Sequence, residues 1–171
     1  MKTITLLLIF CLGVFLGCTP PEDSFYKYSS YKPLLMTRAQ LEKSVLWQAP
    51  REPKEPGKIY TKGKYIFINE KYKGVHVIDN SDPTHPVNTG FIQAPGNVDM
   101  AVKGNALYLD NAVDLITVDI TDPKNLKVTS RIEEVFPELA PPDNPAGIYQ
   151  YSKEKRPDNT VIIGWEKQLQ N

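Results

Sequence analysis

Asp79, Asp82, Asp119 and Asp122 form two pairs of identical spacing, and each pair leads into an Asp-Pro step, Asp82-Pro83 and Asp122-Pro123. Carboxylates in such numbers could ligate calcium, which takes hard oxygen donors. The same residues also build turns, because an Asp side chain accepts backbone N–H bonds just after it and proline presets the next φ. The pairs lie forty residues apart, so the turn role is the expectation and no metal site is assigned. Asn97 and Asp99, with Asp110 and Asp114 beyond them, follow no such repetition. Asp99 opens the innermost strand of its unit, where a side chain would face a rim or channel. Asn97 and Asp99 are therefore the candidate binding residues, with strand-end hydrogen bonding as the competing role.

The other reactive side chains suggest little chemistry. His76 sits in an alternating strand run, which points to packing or the sheet surface. His85 lies between Pro83 and Pro86 in a turn open to solvent. Two histidines without a third ligand do not make a zinc site. No Gly-x-Ser-x-Gly elbow, His-Glu-x-x-His helix or phosphate-cradling glycine loop occurs. No catalytic residue and no cofactor is assigned. Tyr60, Tyr65, Phe67, Tyr72, Phe91 and Tyr108 could stack on sugars, although strand aromatics more often pack on one another.

Both cysteines, Cys11 and Cys18, lie at the start of the chain. Met1-Lys2 is positive, Ile4 to Leu16 is almost wholly apolar, and Phe15-Leu16-Gly17-Cys18 resembles a bacterial lipobox, with bulkier residues than usual before the glycine. The run is short for a membrane span and reads as a lipoprotein signal peptide over residues 1–17, with Cys18 as the lipidated residue. Two acyl chains would hold such a protein firmly, at about 0.8 kcal/mol per buried methylene. With no cysteine after position 18, neither a disulfide framework nor a thiol nucleophile is expected.

Charge narrows the partners. Lys and Arg number 20 against 20 Asp and Glu. Losing residues 1–17 removes one lysine and no acid. A near-neutral chain without a basic cluster is not expected to bind nucleic acid.

These side chains must be positioned by a repeat. Val75-His76-Val77-Ile78-Asp79 recurs as Leu115-Ile116-Thr117-Val118-Asp119, and Lys62-Gly63-Lys64 as Lys103-Gly104-Asn105. Each unit holds four short runs of period two: 59–62, 65–68, 74–79 and 89–92, then 99–102, 106–109, 115–120 and 127–132. Four strands per forty residues predict the blades of a β-propeller. The expected fold is all-β: a partial β-propeller of two four-stranded blades and part of a third, with one short N-terminal helix. Residues 18–57 are expected to hold the lipid tether (to Lys32), the helix and a proline-rich linker, and residues 58–171 the blades. The helix has Thr37 as N-cap, Gln40 completing a capping box and Met36 stapled onto Leu41, and is expected to reach about Leu46. Trp47 to Gly57, with Pro50, Pro53 and Pro56, reads as extended linker. Gly147–Tyr151 and Thr160–Trp165 read as strands of a third blade.

The segments 74–83 and 115–123, with the lead-ins at 56–60 and 95–105, resemble the LVIVD-repeat β-propeller proteins, particularly lipoproteins of Bacteroidetes type. The resemblance implies a propeller, but it implies no particular activity, because propellers host many. Family members carry enough repeats to close a ring. Two blades and a fraction imply a truncated reading frame or completion of the ring by self-association.

The expected function is a lipid-anchored, non-catalytic binding or scaffold module for an envelope protein or glycan. One alternative is an envelope enzyme acting on glycans, with Asp99 and a second carboxylate as acid and base. The other is a remnant of a longer propeller without a function of its own. The acidic Glu22-Asp23 after Cys18 resembles a surface-export signal, so the expected location is the outer membrane, with surface exposure an open option.

Overall fold

A computed structural model describes residues 29–168. The leader, Cys18 and most of the expected tether lie outside the described residues.

Strand β1 (Tyr31–Thr37) leads into a single helical turn and a half, α1 (Arg38–Glu42). Thr37 is the N-cap. Its hydroxyl accepts from the Gln40 N–H, and the Gln40 side chain accepts from the Thr37 N–H, so the capping box is closed. Met36 packs against the small core that holds Leu41. The helix ends at Glu42, one turn short of the expected Leu46. Lys43 and Ser44 close it by donating to the Gln40 and Leu41 carbonyls.

The two repeats each fold into an antiparallel sheet. The first contains β3 (Pro56–Lys62), β4 (Tyr65–Glu70), β5 (Gly74–Asp79) and β6 (Val87–Gln93). The second contains β7 (Met100–Lys103), β8 (Ala106–Asn111), β9 (Asp114–Asp119) and β10 (Lys127–Ile132), in spatial order β10-β9-β8-β7. The first hairpin of each unit turns on two residues. Gly63 and Gly104 occupy its first position at φ +57 and +61, with open space around both. Glycine adopts that angle at the least steric cost, which is a reason for the Lys-Gly step to repeat.

The segment expected to be linker contributes a fifth strand. β2 (Leu46–Gln48) pairs with β6, giving the order β2-β6-β5-β4-β3. Its Trp47 ring lies against Gly90, in the space a Cβ there would fill. A β-branched residue at 90 would have suited the strand, but would have excluded the indole. The chain then crosses from the β6 edge to the β3 edge through residues 49–55. This crossing accounts for the prolines, which need no ladder partner there.

Packing is set by period two. Phe67, Val75, Val77 and Ile92 share one face of the first sheet, and Met100, Leu107, Leu109, Ile116 and Val118 share one face of the second. Together they form the main core, with Val45, Ala94 and Ile120 at its margins. All nine of these face residues are buried.

The C-terminal part departs from the repeat. Gly147–Tyr151, expected as a strand, is a 3-10 segment (Pro145–Tyr151) started by Pro145 and capped by the Asn144 side chain. A further 3-10 turn spans Lys153–Lys155. β11 (Thr160–Lys167) does form, but it pairs with β1 from Tyr31 to Thr37 and builds no third sheet of the repeat type. Tyr31 and Lys32 are thus strand residues and not tether. This two-stranded layer packs through Val161 and Ile163 onto Leu41, Ala112 and Val113, and Gly164 lies against Tyr72. It therefore covers the end of both sheets where the β4–β5 and β8–β9 turns emerge.

Candidate binding sites and the LVIVD repeats

The repeated aspartates cap turns. Asp79 accepts from the Ser81 N–H at 2.9 Å, Asp119 from Thr121 at 2.8 Å, Asp82 from Thr84 at 2.9 Å and Asp122 from Lys124 at 3.3 Å. Hydrogen bonds from Ser81, Thr84 and Thr121 hold the Asp79, Asp82 and Asp119 carboxyls below the usual range. Among the described residues, no group of three or more His, Cys, Asp and Glu is placed to hold a metal ion.

Asn97 and Asp99 occupy different environments. Asn97 is fully buried. Its amide nitrogen donates to the Asp99 carbonyl at 2.8 Å and to Asp110 Oδ1 at 2.6 Å, and its oxygen accepts from Asn69. These side-chain bonds all stay within the chain. Asn97 ties the connection between the two sheets to β4 and β8, a role the linear sequence does not display because Asn69 and Asp110 are distant in it. Asp110 accepts from the Val98 and Asp99 N–H groups, both at 2.9 Å. Burial pushes its carboxyl up nonetheless. Asp99 is exposed and pairs with Lys58 at 2.7 Å, which holds its carboxyl down. Asp99 and Lys58 stand beside a hollow of about 230 Å³ lined by Tyr60, Ala101, Tyr108, Leu115 and Phe136.

Two buried polar constellations were not anticipated. In the first, Asp114, fully buried, receives both guanidinium nitrogens of Arg38 at 2.8 Å and one of Arg131. Burial pushes the Asp114 carboxyl up, but the two arginines together outweigh it and hold it below the usual range. Arg38 is raised in turn, chiefly by its hydrogen bond to Asp114. Arg131 continues to Asn111 at 2.9 Å, and Asn111 donates to the Pro95 carbonyl at 2.7 Å. The network joins α1 to the second sheet. In the second constellation, His76 Nε2 meets Glu70 Oε2 at 2.7 Å with both side chains buried. The Arg51 guanidinium lies 3.5 Å from the centroid of Phe91 and reaches Glu70 at 3.5 Å. His76 thus packs in the sheet, as its strand position implied, with a carboxylate partner six residues earlier, at the end of β4. His85 is open to solvent beside Asp82.

The larger cavity, about 730 Å³, lies between the second sheet and the C-terminal layer. Arg38, Lys153 and Arg156 line it together with Glu134, Glu138 and Asp158, and Phe136, Pro137 and Pro157 supply apolar wall. Its cations are already engaged: Arg38 with Asp114, Arg156 with Glu138, and Lys153 with Glu134 at 3.7 Å. Sequence reasoning missed this cleft because residues 133–159 carry no periodicity.

Architecture and turns define the class, a mostly-β protein built from antiparallel repeat units. The LVIVD repeat family model matches residues 57–92 and 96–133, one stretch per sheet. The chain thus carries two LVIVD repeats. No curated protein and no solved structure matches it.

Proposed function

We propose that this protein is a non-catalytic binding or scaffold module of the cell envelope, presenting the 730 Å³ cleft to a protein or glycan partner. The observation that carries the reading is the state of the charges in that cleft. Arg38, Arg156 and Lys153 are each matched to a carboxylate within the chain. Such a wall supplies balanced polar contacts and apolar Phe and Pro surface, as partner recognition requires. Glycoside chemistry would need two carboxylates facing one bond. Asp99 is paired with Lys58, and Asp110 is enclosed by three donors.

The two LVIVD repeats each form an antiparallel sheet and share one core, which supports a β-propeller arrangement. The lipobox-like 15–18 and the apolar run before it support lipidation at Cys18, an outer-membrane lipoprotein of the Bacteroidetes type, and a surface location through Glu22-Asp23. No helix among the described residues is long and apolar enough to cross a membrane.

The test is photo-crosslinking in intact cells from position 153 or 158, on the cleft rim. A single envelope protein or glycan captured at both positions supports the reading. No adduct at either position, with the chain folded and present, overturns it. Labelling by an alkyne fatty acid that disappears in Cys18→Ala would establish the anchor, and labelling unchanged by that variant would remove it.

A further inference from the structure

The pairing registers place the two repeats in residue-by-residue correspondence. Ile59, Ile66, Ile68, His76 and Ile78 in the first sheet occupy the positions of Met100, Leu107, Leu109, Ile116 and Val118 in the second. Phe67, Val75, Val77 and Ile92 likewise correspond to Tyr108, Leu115, Thr117 and Ile132. Within the chain, the face carrying Phe67, Val75, Val77 and Ile92 buries the face carrying Met100, Leu107, Leu109, Ile116 and Val118. One such interface is used, and each sheet is left with the opposite half of the same interface on its outer side.

Away from the His76–Glu70 pair on the first sheet and Asp110 on the second, those outer halves are apolar. On the first sheet, Arg51 covers Phe91, while Ile66, Ile68 and Ile78 remain half-buried and Ile59 is 61% exposed, all outside both cores. On the second sheet, Tyr108 and Leu115 line the 230 Å³ hollow, and Ile132 is 55% exposed. An isoleucine-rich ridge on one side and an apolar hollow on the other are complementary, and they lie on different sheets. Their joining is therefore heterologous, head to tail.

We propose that a second copy of this chain docks with the outer face of its first sheet, Ile59, Ile66, Ile68 and Ile78, into the outer face of the second sheet, Tyr108, Leu115, Thr117 and Ile132. The contact continues the packing already present between the two sheets, and it would extend the row of sheets or close it into a ring. It rests on the blade-like reading of the repeats but not on the lipid anchor or on a ligand in the larger cleft.

The test uses the full chain in mild detergent. Ile78→Asp damages the ridge, and Thr117→Asp, opposite Tyr108 in the ladder, damages the outer face that carries the hollow. Each variant alone should raise the half-association concentration about tenfold or more, because a carboxylate would be buried unpaired. Mixed in equal amounts, the two should recover a dimer of wild-type affinity that grows no further, since one intact ridge then meets one intact hollow. Unchanged far-UV circular dichroism and melting identify folded variants. A photo-crosslinking phenylalanine analogue in place of Ile78 gives an independent readout if either aspartate variant fails to fold. Adducts to peptides holding Tyr108, Leu115, Thr117 or Ile132 of a second copy are expected. A monomeric wild-type chain, variants that do not complement, or adducts only to another protein or to position 78 of a second copy would overturn the proposal. Failure to capture a ligand at the larger cleft would leave it standing.

Discussion

Individual side chains show where burial raises the stakes. Asp114 is buried among Arg38 and Arg131, and a buried pair stripped of one partner leaves an uncompensated charge costing about 3–5 kcal/mol. Asp114→Leu, which takes the carboxylate from both arginines, should lower stability by about that amount in urea titrations, and Arg38→Met should cost less because Arg131 still faces Asp114. The pH dependence has a definite sign. The folded Asp114 carboxyl lies below its unfolded value, so its contribution is complete above about pH 4 and fades as pH falls through the folded value. Asp114→Asn should therefore flatten the acid limb of stability against pH. Asp110 acts in the opposite sense. Its raised carboxyl weakens the fold as pH climbs through that value, and protonation relieves it. His76 and Glu70 form a second buried pair, and removing one member strands the other. His76→Leu should cost about 3 kcal/mol, and adding Glu70→Met should recover most of the loss, because Arg51 is exposed enough to return to water. A double-mutant cycle with no coupling would contradict the buried pair. The sequence placed His76 correctly in a strand, yet nothing in it connected that residue to Glu70 as a partner, since the turn between them decides the meeting.

Strands and turns were the most legible level. The four strands of each repeat, the Lys-Gly turns and the Thr37 capping box follow from period, turn chemistry and caps. The misses share one cause. β2 is three residues long, β1 includes Pro33, and both take their stability from a distant partner, β6 or β11. The run 147–151 looks apolar and aromatic enough for a strand, but Pro145 and the Asn144 cap commit it to a 3-10 path. β2 offers a direct test. Gly90→Val would put side-chain atoms where the Trp47 ring lies. The expected result is a loss of about 1–3 kcal/mol from overpacking, with faster amide exchange at 46–48 than elsewhere in that sheet. Exchange unchanged at 46–48 would mean that Trp47 does not hold β2 in place. Thr37→Ala should cost about 1 kcal/mol, the usual worth of an N-cap.

Over the whole chain, one core is shared by both sheets. Neither sheet buries its apolar face alone, so heat and urea should give a single cooperative transition, seen equally by tryptophan fluorescence and far-UV circular dichroism. Two separated transitions would show that the sheets are independent. The β1–β11 pair joins residues near opposite ends of the described chain. Trp165 anchors that layer, donating to the Leu139 carbonyl at 3.0 Å and packing edge-on against Tyr151. Trp165→Ala should cost about 3–5 kcal/mol, lost with the layer. The layer also forms one wall of the larger cleft through Pro157, Asn159, Thr160 and Val161. The same variant should therefore abolish crosslinking from position 153 while the two sheets stay folded.

Sequence alone determined what depends on neighbours along the chain. Alternation set the strand faces, Gly63 and Gly104 set the hairpins, and the Asp-Pro steps set the turns. The repeat was legible because two copies of one local pattern stand forty residues apart. Tertiary structure decided what depends on separation in space. It turned Asn97 from a candidate ligand contact into a buried staple and left Asp99 paired with Lys58. It also sent β11 to β1, placed Asp114 between two arginines, and opened a cleft among residues that share no sequence pattern. The physical reason is that backbone turns and period-two faces are short-range properties. Charge pairing, desolvation and strand partnering are settled only when remote segments compete for the same buried space.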